Sequence, residues 1–426
     1  IPFWFLPFAV PTGNTVLIKP NLVLDNLKFQ DSITTHPSII YALINYIAIA
    51  LKGKGEIIVG DAPLQSCNFD KLIRFTGLKK TIDYYKSKNI KVDLIDFRLE
   101  KLIIKKKRNY KIEKINGDPR GYKIVNLDNN SSLQELSENK GYKKFRVTNY
   151  SPNIMNKFHN QSVHKYLVSN SVLQADVIVN VPKIKTHKKA GITACLKNTI
   201  GISGHKDWLP HHQKGSRYEG GDEYLFSNIC KKIYNRINEL DDKVLTKSSV
   251  IHNILFYPFF ILKVLIHISS KLTGKDPYFE GSWHGNDTIW RTIADLNQIL
   301  LYVDKNGKFS NEPQRKRVYF CDGIIIGEKE GPIIPSSKKI GLLVGGFDPL
   351  MVDLAITELI NFDYLKIPQL YKIFNIKNRK ISQFNPQDLM IKSNNSNWDK
   401  KKIDQITTTF KIQPTRGWKS HIEKDF

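Results

Sequence analysis

Residues 175–202 read "ADVIVNVPKIKTHKKAGITACLKNTIGI", and two features of this stretch decide the fold. The β-branched run Val177 to Val181 has the composition of a strand buried on both faces. It breaks at Pro182 and gives way at once to Lys183, Lys185, His187, Lys188 and Lys189, with Lys197 and Asn198 one segment further on. A chain that sets so much positive charge directly beyond a core strand is making a solvated loop or holding something negative.

Working outward, the same strand-then-polar pattern recurs. "TVLIKPNLV" predicts a strand near Val16 to Lys19, closed by Pro20 and Asn21. "THPSIIYALINYIAIALKGKG" predicts a helix with Thr35 as N-cap, Pro37 in its first turn, and Gly53 and Gly55 closing it. "EIIVGDAP" is a second strand, stopped by Gly60, Asp61 and Pro63; a helical stretch over Phe69 to Lys86 and the strand "KVDLIDF" follow. This alternation is the mark of an α/β fold, a mostly parallel sheet flanked by helices. On this reading residues 1–97 form a first α/β half, and 98–170 a polar insertion of short strands and loops. Residues 171–221 form the second half, and 222–280 a helical insertion. Residues 281–377 form a C-terminal α/β part containing "RVYFCDGIIIG" and "IGLLVGGFDPLMVDLAITELI". Residues 378–426 are a closing tail that regains strand character at "TTTFKIQP".

In open α/β sheets ligands bind beyond the carboxyl ends of the strands, where loops converge. Lys19 and Asn21 follow the first strand, Asp61 the second, Lys183, Lys185 and His187 the "VIVNVP" strand, and Asp322 "VYFC". Asp348 and Asp353 follow "GLLVGG". If these ends share one sheet edge, they form a crown in which ammonium and imidazole groups grip a phosphate or carboxylate. Aspartates there would orient hydroxyls, carry protons or hold a metal. His187, Lys185 and Asp61 are the candidate catalytic residues. Lys19, Asn21, Thr35, Lys183, Lys197, Asn198, Asp322 and Asp348 are the candidate binding residues. Blander readings stand beside these: Asp61 shaping a turn, Asp348 capping a helix, Lys188 and Lys189 solvated. The spacing of His205, His211 and His212 matches no metal site and fits a flexible surface loop. No Walker loop or GxGxxG fingerprint is present.

The 426 residues are 41% hydrophobic and 25% charged, ordinary for a chain that buries a core, but the formal net charge is +25. Featureless stretches such as "KLIIKKKRNYKIEK" and "WDKKKIDQ" share the lysine bias, which marks background composition. With no recognisable basic–aromatic binding module, nucleic acid is the weaker partner reading. The four cysteines, Cys67, Cys195, Cys230 and Cys321, have no metal-site, cluster or disulfide-framework spacing. A reducing, cytoplasmic setting is the expectation. The chain begins "IPFWFLPFAV" without Met, which leaves a preceding targeting or anchoring segment open. "IHNILFYPFFILKVLIHISS", Ile251 to Ser270, is strongly apolar yet carries Pro258, Lys263 and His267. That sits at the short end of the ~17–25 residues a bilayer span needs. A core or oligomer-interface helix is the first reading, a membrane-surface contact the second.

The motifs "IKPN" (18–21), "THP" (35–37), "GDAP" (60–63), "VPKIKTH" (181–187), "LKNTIG" (196–201), "DGIIIGEKEGP" and "DPLMVD" together resemble the domain of unknown function 362 family. The resemblance covers Val16 to about Leu370. "GSWHGNDTIWRTIADLN" and "QPTRGWKSHIE" are similar to a long-chain branch of it. Because some members carry a fused ferredoxin-type module, it implies redox chemistry. This chain has no in-chain iron–sulfur motif, so a cluster would come from a ferredoxin-like partner, and the cofactor or metal stays unassigned. The family is also similar in general α/β design to the nickel-pincer lactate racemases. No residue-by-residue match carries that cofactor site here. The reading is therefore an enzyme acting on an anionic small molecule. A non-catalytic binder of nucleic acid or anionic membrane is the alternative.

Overall fold

A computed structural model describes residues 10–424, except 106–108, 149, 151, 248, 273–277 and 408. Its centre is a sheet built from strands β1 (Thr15–Pro20), β2 (Glu56–Asp61), β3 (Val92–Asp96), β4 (Val177–Val181), β5 (Lys183–His187), β6 (Gly191–Thr193), β7 (Lys316–Glu328) and β8 (Ser336–Gly346). β3, β2, β1, β4 and β7 lie side by side and parallel. Beyond Pro182, β5 continues along the same edge of β7, with Lys183 opposite Asp322 and Lys185 opposite Gly327.

Both faces of β1, β2 and β4 are covered, which explains their largely apolar character. Val16, Ile18, Ile57, Val59, Val177 and Val179 turn to one side, against helices α1 (Pro37–Leu51), α2 (Phe69–Phe75) and α3 (Leu78–Ser87). Leu17, Ile58 and Ile178, one residue out of step, turn to the other side. There they meet Leu296, Ile299 and Leu300 of a long helix, Ile289–Tyr302. This period of two places alternate residues in two different cores.

The sequence reading needs four corrections. β8 is antiparallel to β7, not another parallel strand. Only the seven residues 329–335 join the two, enough for a hairpin but not for a crossover. The helix expected over Phe69 to Lys86 is two helices, because Gly77 takes a left-handed conformation at φ 77° between them. His36, not Thr35, is the N-cap of α1 and accepts from the Ser38 N–H. The tail gains no strand at the described residues of "TTTFKIQP": its described strands are the pair Met390–Ile391 and Lys401–Lys402, beside an isolated bridge of Glu423 to Phe362. Its Trp418 is fully buried over Gly191 and donates from Nε1 to the Lys188 carbonyl.

The polar insertion holds two antiparallel pairs, Glu100–Lys105 with Asn109–Lys114 and Tyr122–Asn126 with Lys165–Ser169. The helical insertion is a pair of helices, α4 (Ile229–Lys247) and α5 (Ser249–Leu272), and the long helix Ile289–Tyr302 is α6. A further helix, α7 (Pro349–Leu359), follows β8.

Candidate active site

The tips of β1, β2, β4 and β5 meet, as the strand-end rule requires. Lys19 Nζ pairs with Asp61 Oδ1 at 2.7 Å and donates to the Pro20 carbonyl. The other carboxylate oxygen of Asp61 accepts from the Leu22 N–H at 2.7 Å. Asn198 stitches the ends together: its Oδ1 accepts from Asn21 Nδ2 at 2.8 Å, while its Nδ2 donates to Asn180 Oδ1 at 2.7 Å. Asn21 Oδ1 accepts from Lys185 Nζ at 2.9 Å, and Lys185 also donates to the Ile33 carbonyl at 2.6 Å. Thr35 accepts from the Asn21 N–H and donates to the Val181 carbonyl. Gly201 is required beside this network. A Cβ there would fall 1.9 Å from Asp61 Oδ1 and 2.6 Å from Lys19 Nζ.

Most of this crown is sealed. Lys183 Nζ and Asp322 Oδ2 pair at 2.6 Å with both side chains at 0% exposure. Asp322 also accepts from the His36 and Ile324 N–H groups, and Lys183 donates to the Ile325 carbonyl. Neither side chain presents a face to a ligand. Lys19 and Asp61 are sealed almost as tightly, at 3% and 6%. Lys185 is held well below the ordinary lysine range by burial and by the neighbouring cations Lys183 and Lys197. Asp348 stands apart from the crown as the N-cap of α7, accepting from the Leu350 and Met351 N–H groups.

Past the sealed crown lies a second cluster, in which the Nε2 atoms of His187 and His211 and the Nζ of Lys197 have no hydrogen-bond partner among the described residues. His187 Nδ1 accepts from the Lys189 and Ala190 N–H groups at 3.1 and 3.2 Å, so its proton sits on Nε2. His211 has the opposite arrangement, with Nδ1 at 2.6 Å from the Leu209 carbonyl, which leaves Nε2 as an acceptor. Lys197 is 7% exposed, and its ammonium meets neither a carboxylate nor a hydrogen-bond acceptor among the described residues. The three act on one another electrostatically. Burial first and Lys197 second hold both imidazoles well below the usual histidine range. Burial, then Lys206 and Lys189, lower Lys197 to about 7. Lys206 is also brought to about 7, by burial, and donates to the Ile200 carbonyl. Lys189, expected in solvent, is buried and donates to Thr148 Oγ1 and His212 Nδ1, each at 3.3 Å.

His211 and Lys189 were read from the sequence as loop and solvent residues, and Lys206 was not singled out. The stretch "GHKDWLPHHQKG" has a loop composition, and nothing in it signals that His212 pairs with Arg146 in a short antiparallel bridge that pins the segment inward. The scattered cysteines also converge: Cys195 and Cys321 Sγ lie 3.2 Å apart. With Asp353 they form a fully buried group whose ligand atoms lie within 4.8 Å of one another. Asp353 accepts from the Cys195 and Leu196 N–H groups at 2.6 and 3.0 Å, and burial drives both thiols up. The Asp353 carboxylate thereby holds the start of the turn Cys195–Asn198.

Cavities do not decide the site. One of about 300 Å³ opens at the "THP" turn, lined by Gln30, Asp31, Thr34, Thr35, His36 and Phe75, with no lysine or arginine and one acid. A polar one of about 40 Å³ adjoins Lys189, lined by Thr148, His212, Glu223 and Glu280, enough for a few waters. An anion is drawn by charge, and of the lysines Lys185, Lys189, Lys197 and Lys206, none of which meets a carboxylate, only Lys197 also lacks a hydrogen-bond acceptor among the described residues.

The family described as Domain of unknown function (DUF362) matches residues 16–116 and 120–358. No curated protein matches the chain. Among solved structures, a Thermotoga maritima protein from the Northeast Structural Genomics Consortium is 11% identical, with a TM-score of 0.34 over 81% of this chain. The chain spans about half, 53%, of that protein's length.

Proposed function

The chain belongs to the DUF362 family, and we propose that it is an enzyme that binds a small carboxylate or phosphate at the His187–Lys197–His211 cluster and moves a proton on it. The observation that carries this reading is Lys197, a buried ammonium with no counter-ion among the described residues. Burying a charge without a partner is costly, and a protein that tolerates one is matched to a ligand that completes it. A bound anion would sit between Lys197 and the His187 Nε2–H, with the lone pair of His211 Nε2 as the nearby acceptor. A lysine at about 7 exchanges its proton at neutral pH, the condition for general acid–base work. The sealed crown of Lys19, Asn21, Asp61, Lys185 and Asn198 then positions the segment and does not touch the substrate.

Calorimetric titration with inorganic phosphate and with succinate tests this. An anion raises the Lys197 pKa, so binding at pH 8 should take up close to one proton, seen as a buffer-dependent heat. Lys197→Met should weaken binding at least about tenfold, a loss of about 1.4 kcal/mol, with an unchanged circular dichroism spectrum. Saturable binding that survives Lys197→Met, or no saturable binding of either anion, overturns the reading.

A further inference from the structure

The polarity of α5 is inverted. Its polar residues turn inward: His252 Nε2 and Lys263 Nζ meet the two oxygens of Asp241 on α4 at 3.0 and 2.6 Å. Its apolar residues turn outward. Among the described residues from Val250 to Ile268, every exposed one is aliphatic or aromatic, Pro258 included. Ile254 is 70% exposed, and Ile261 and Leu265 continue the line at 55% and 57%. At 100° per residue, Leu262 marks one margin of this face and Phe260 the other, so it wraps about 200° of the helix. A water-facing helix with its charges inside and its aliphatics outside loses hydrophobic free energy over that whole arc.

We propose that this face lies in the surface of an anionic lipid bilayer. The width of the face favours lipid over a second copy of the chain or another protein helix. A helix packed on a protein core needs an apolar stripe of roughly 100°, whereas a fluid acyl layer covers everything turned toward it. Charge complementarity supplies the anionic part. The exposed side of α4 carries Lys232, Arg236 and Lys243 beside Ile229, Ile233 and Leu240. The strand Asn109–Lys114 packs against α5 and brings exposed Lys111 and Lys114. Lysines next to exposed aliphatics read as headgroup contacts beside a buried apolar face. Among the described residues no helix is long and apolar enough to cross a membrane, so α5 lies along the interface.

The test is flotation of the full chain with vesicles of phosphatidylcholine alone and of phosphatidylcholine with phosphatidylglycerol. The protein should float with the anionic vesicles only, and less as salt rises. Ile261→Asp with Leu265→Asp should lower partitioning by at least about tenfold, since an aspartate in the apolar layer costs more than the 1.4 kcal/mol that tenfold represents. Both side chains are already in water, so the melting temperature of the variant should match the parent. Equal flotation of parent and variant, equal flotation with neutral vesicles, or no flotation overturns the proposal. A dimer in sedimentation that the double variant dissociates, without vesicle binding, overturns it in favour of pairing between copies.

Discussion

Lys183 and Lys197 belong to one stretch of chain and are buried alike, at 0% and 7% exposure, yet they meet opposite environments. Lys183 has a carboxylate at 2.6 Å and a backbone carbonyl at 3.1 Å. Lys197 has other cations around it and no partner among the described residues. The first lysine is complete within the protein and the second is not. In a chain this rich in lysine the number of positive residues says little; whether each buried one has a counter-charge or a hydrogen-bond acceptor separates a residue that holds the fold from one that waits for a ligand.

The largest effect should come from the complete lysine. Lys183→Met leaves Asp322 buried with only the His36 and Ile324 N–H groups as partners. Removing one partner of a buried ion pair costs about 3–5 kcal/mol. Urea denaturation should show that loss. A cost below about 1 kcal/mol would mean that water reaches Asp322 and that the contrast with Lys197 is false.

The incomplete lysine should behave in the opposite direction. The folded state holds Lys197 at about 7, while the unfolded chain has an ordinary lysine near 10.4. Between those values the unfolded state binds a proton that the folded state releases. Stability therefore falls as pH drops from about 10.5 toward 7, then levels off below 7. Lys197→Met removes the penalty and should stabilise the protein at pH 7 by about 2–4 kcal/mol, with the gain shrinking toward pH 10.5. Denaturation of parent and variant across this range checks the sign. A destabilised variant would place Lys197 among the structural lysines.

The architecture was legible because burial on both faces and strand–helix alternation are local signals. "VIVNVP" has the composition of a buried strand, and β1, β2 and β4 pair in parallel as the alternation requires. The direction of β8 needed one further count, the length of the loop after "GIIIGE". Within the crown, Lys19, Asn21, Asp61, Lys185 and Asn198 do converge, since strand ends in a parallel sheet must share an edge. What the sequence could not show was which of them would neutralise one another. The pairing of Lys183 with Asp322 bridges residues far apart in the chain, and so does the approach of Cys195 to Cys321. His211 was hidden for a different reason: its segment is irregular, and irregular backbone carries no period from which burial can be read.

Asp348 gives the smallest effect and the sharpest control. It ends a strand as Asp61 does, but its Oδ1 accepts from the Leu350 and Met351 N–H groups at 3.0 and 3.1 Å, the geometry of a helix cap. Those two donors would otherwise be orphaned at the start of α7. Asp348→Ala should cost about 1 kcal/mol and Asp348→Asn only a fraction of that, because asparagine caps nearly as well. Neither change should alter phosphate or succinate affinity at Lys197. A drop in affinity as large as that of Lys197→Met, with the helix cap restored by asparagine, would extend the ligand site to α7 and erase the division between complete and incomplete charges.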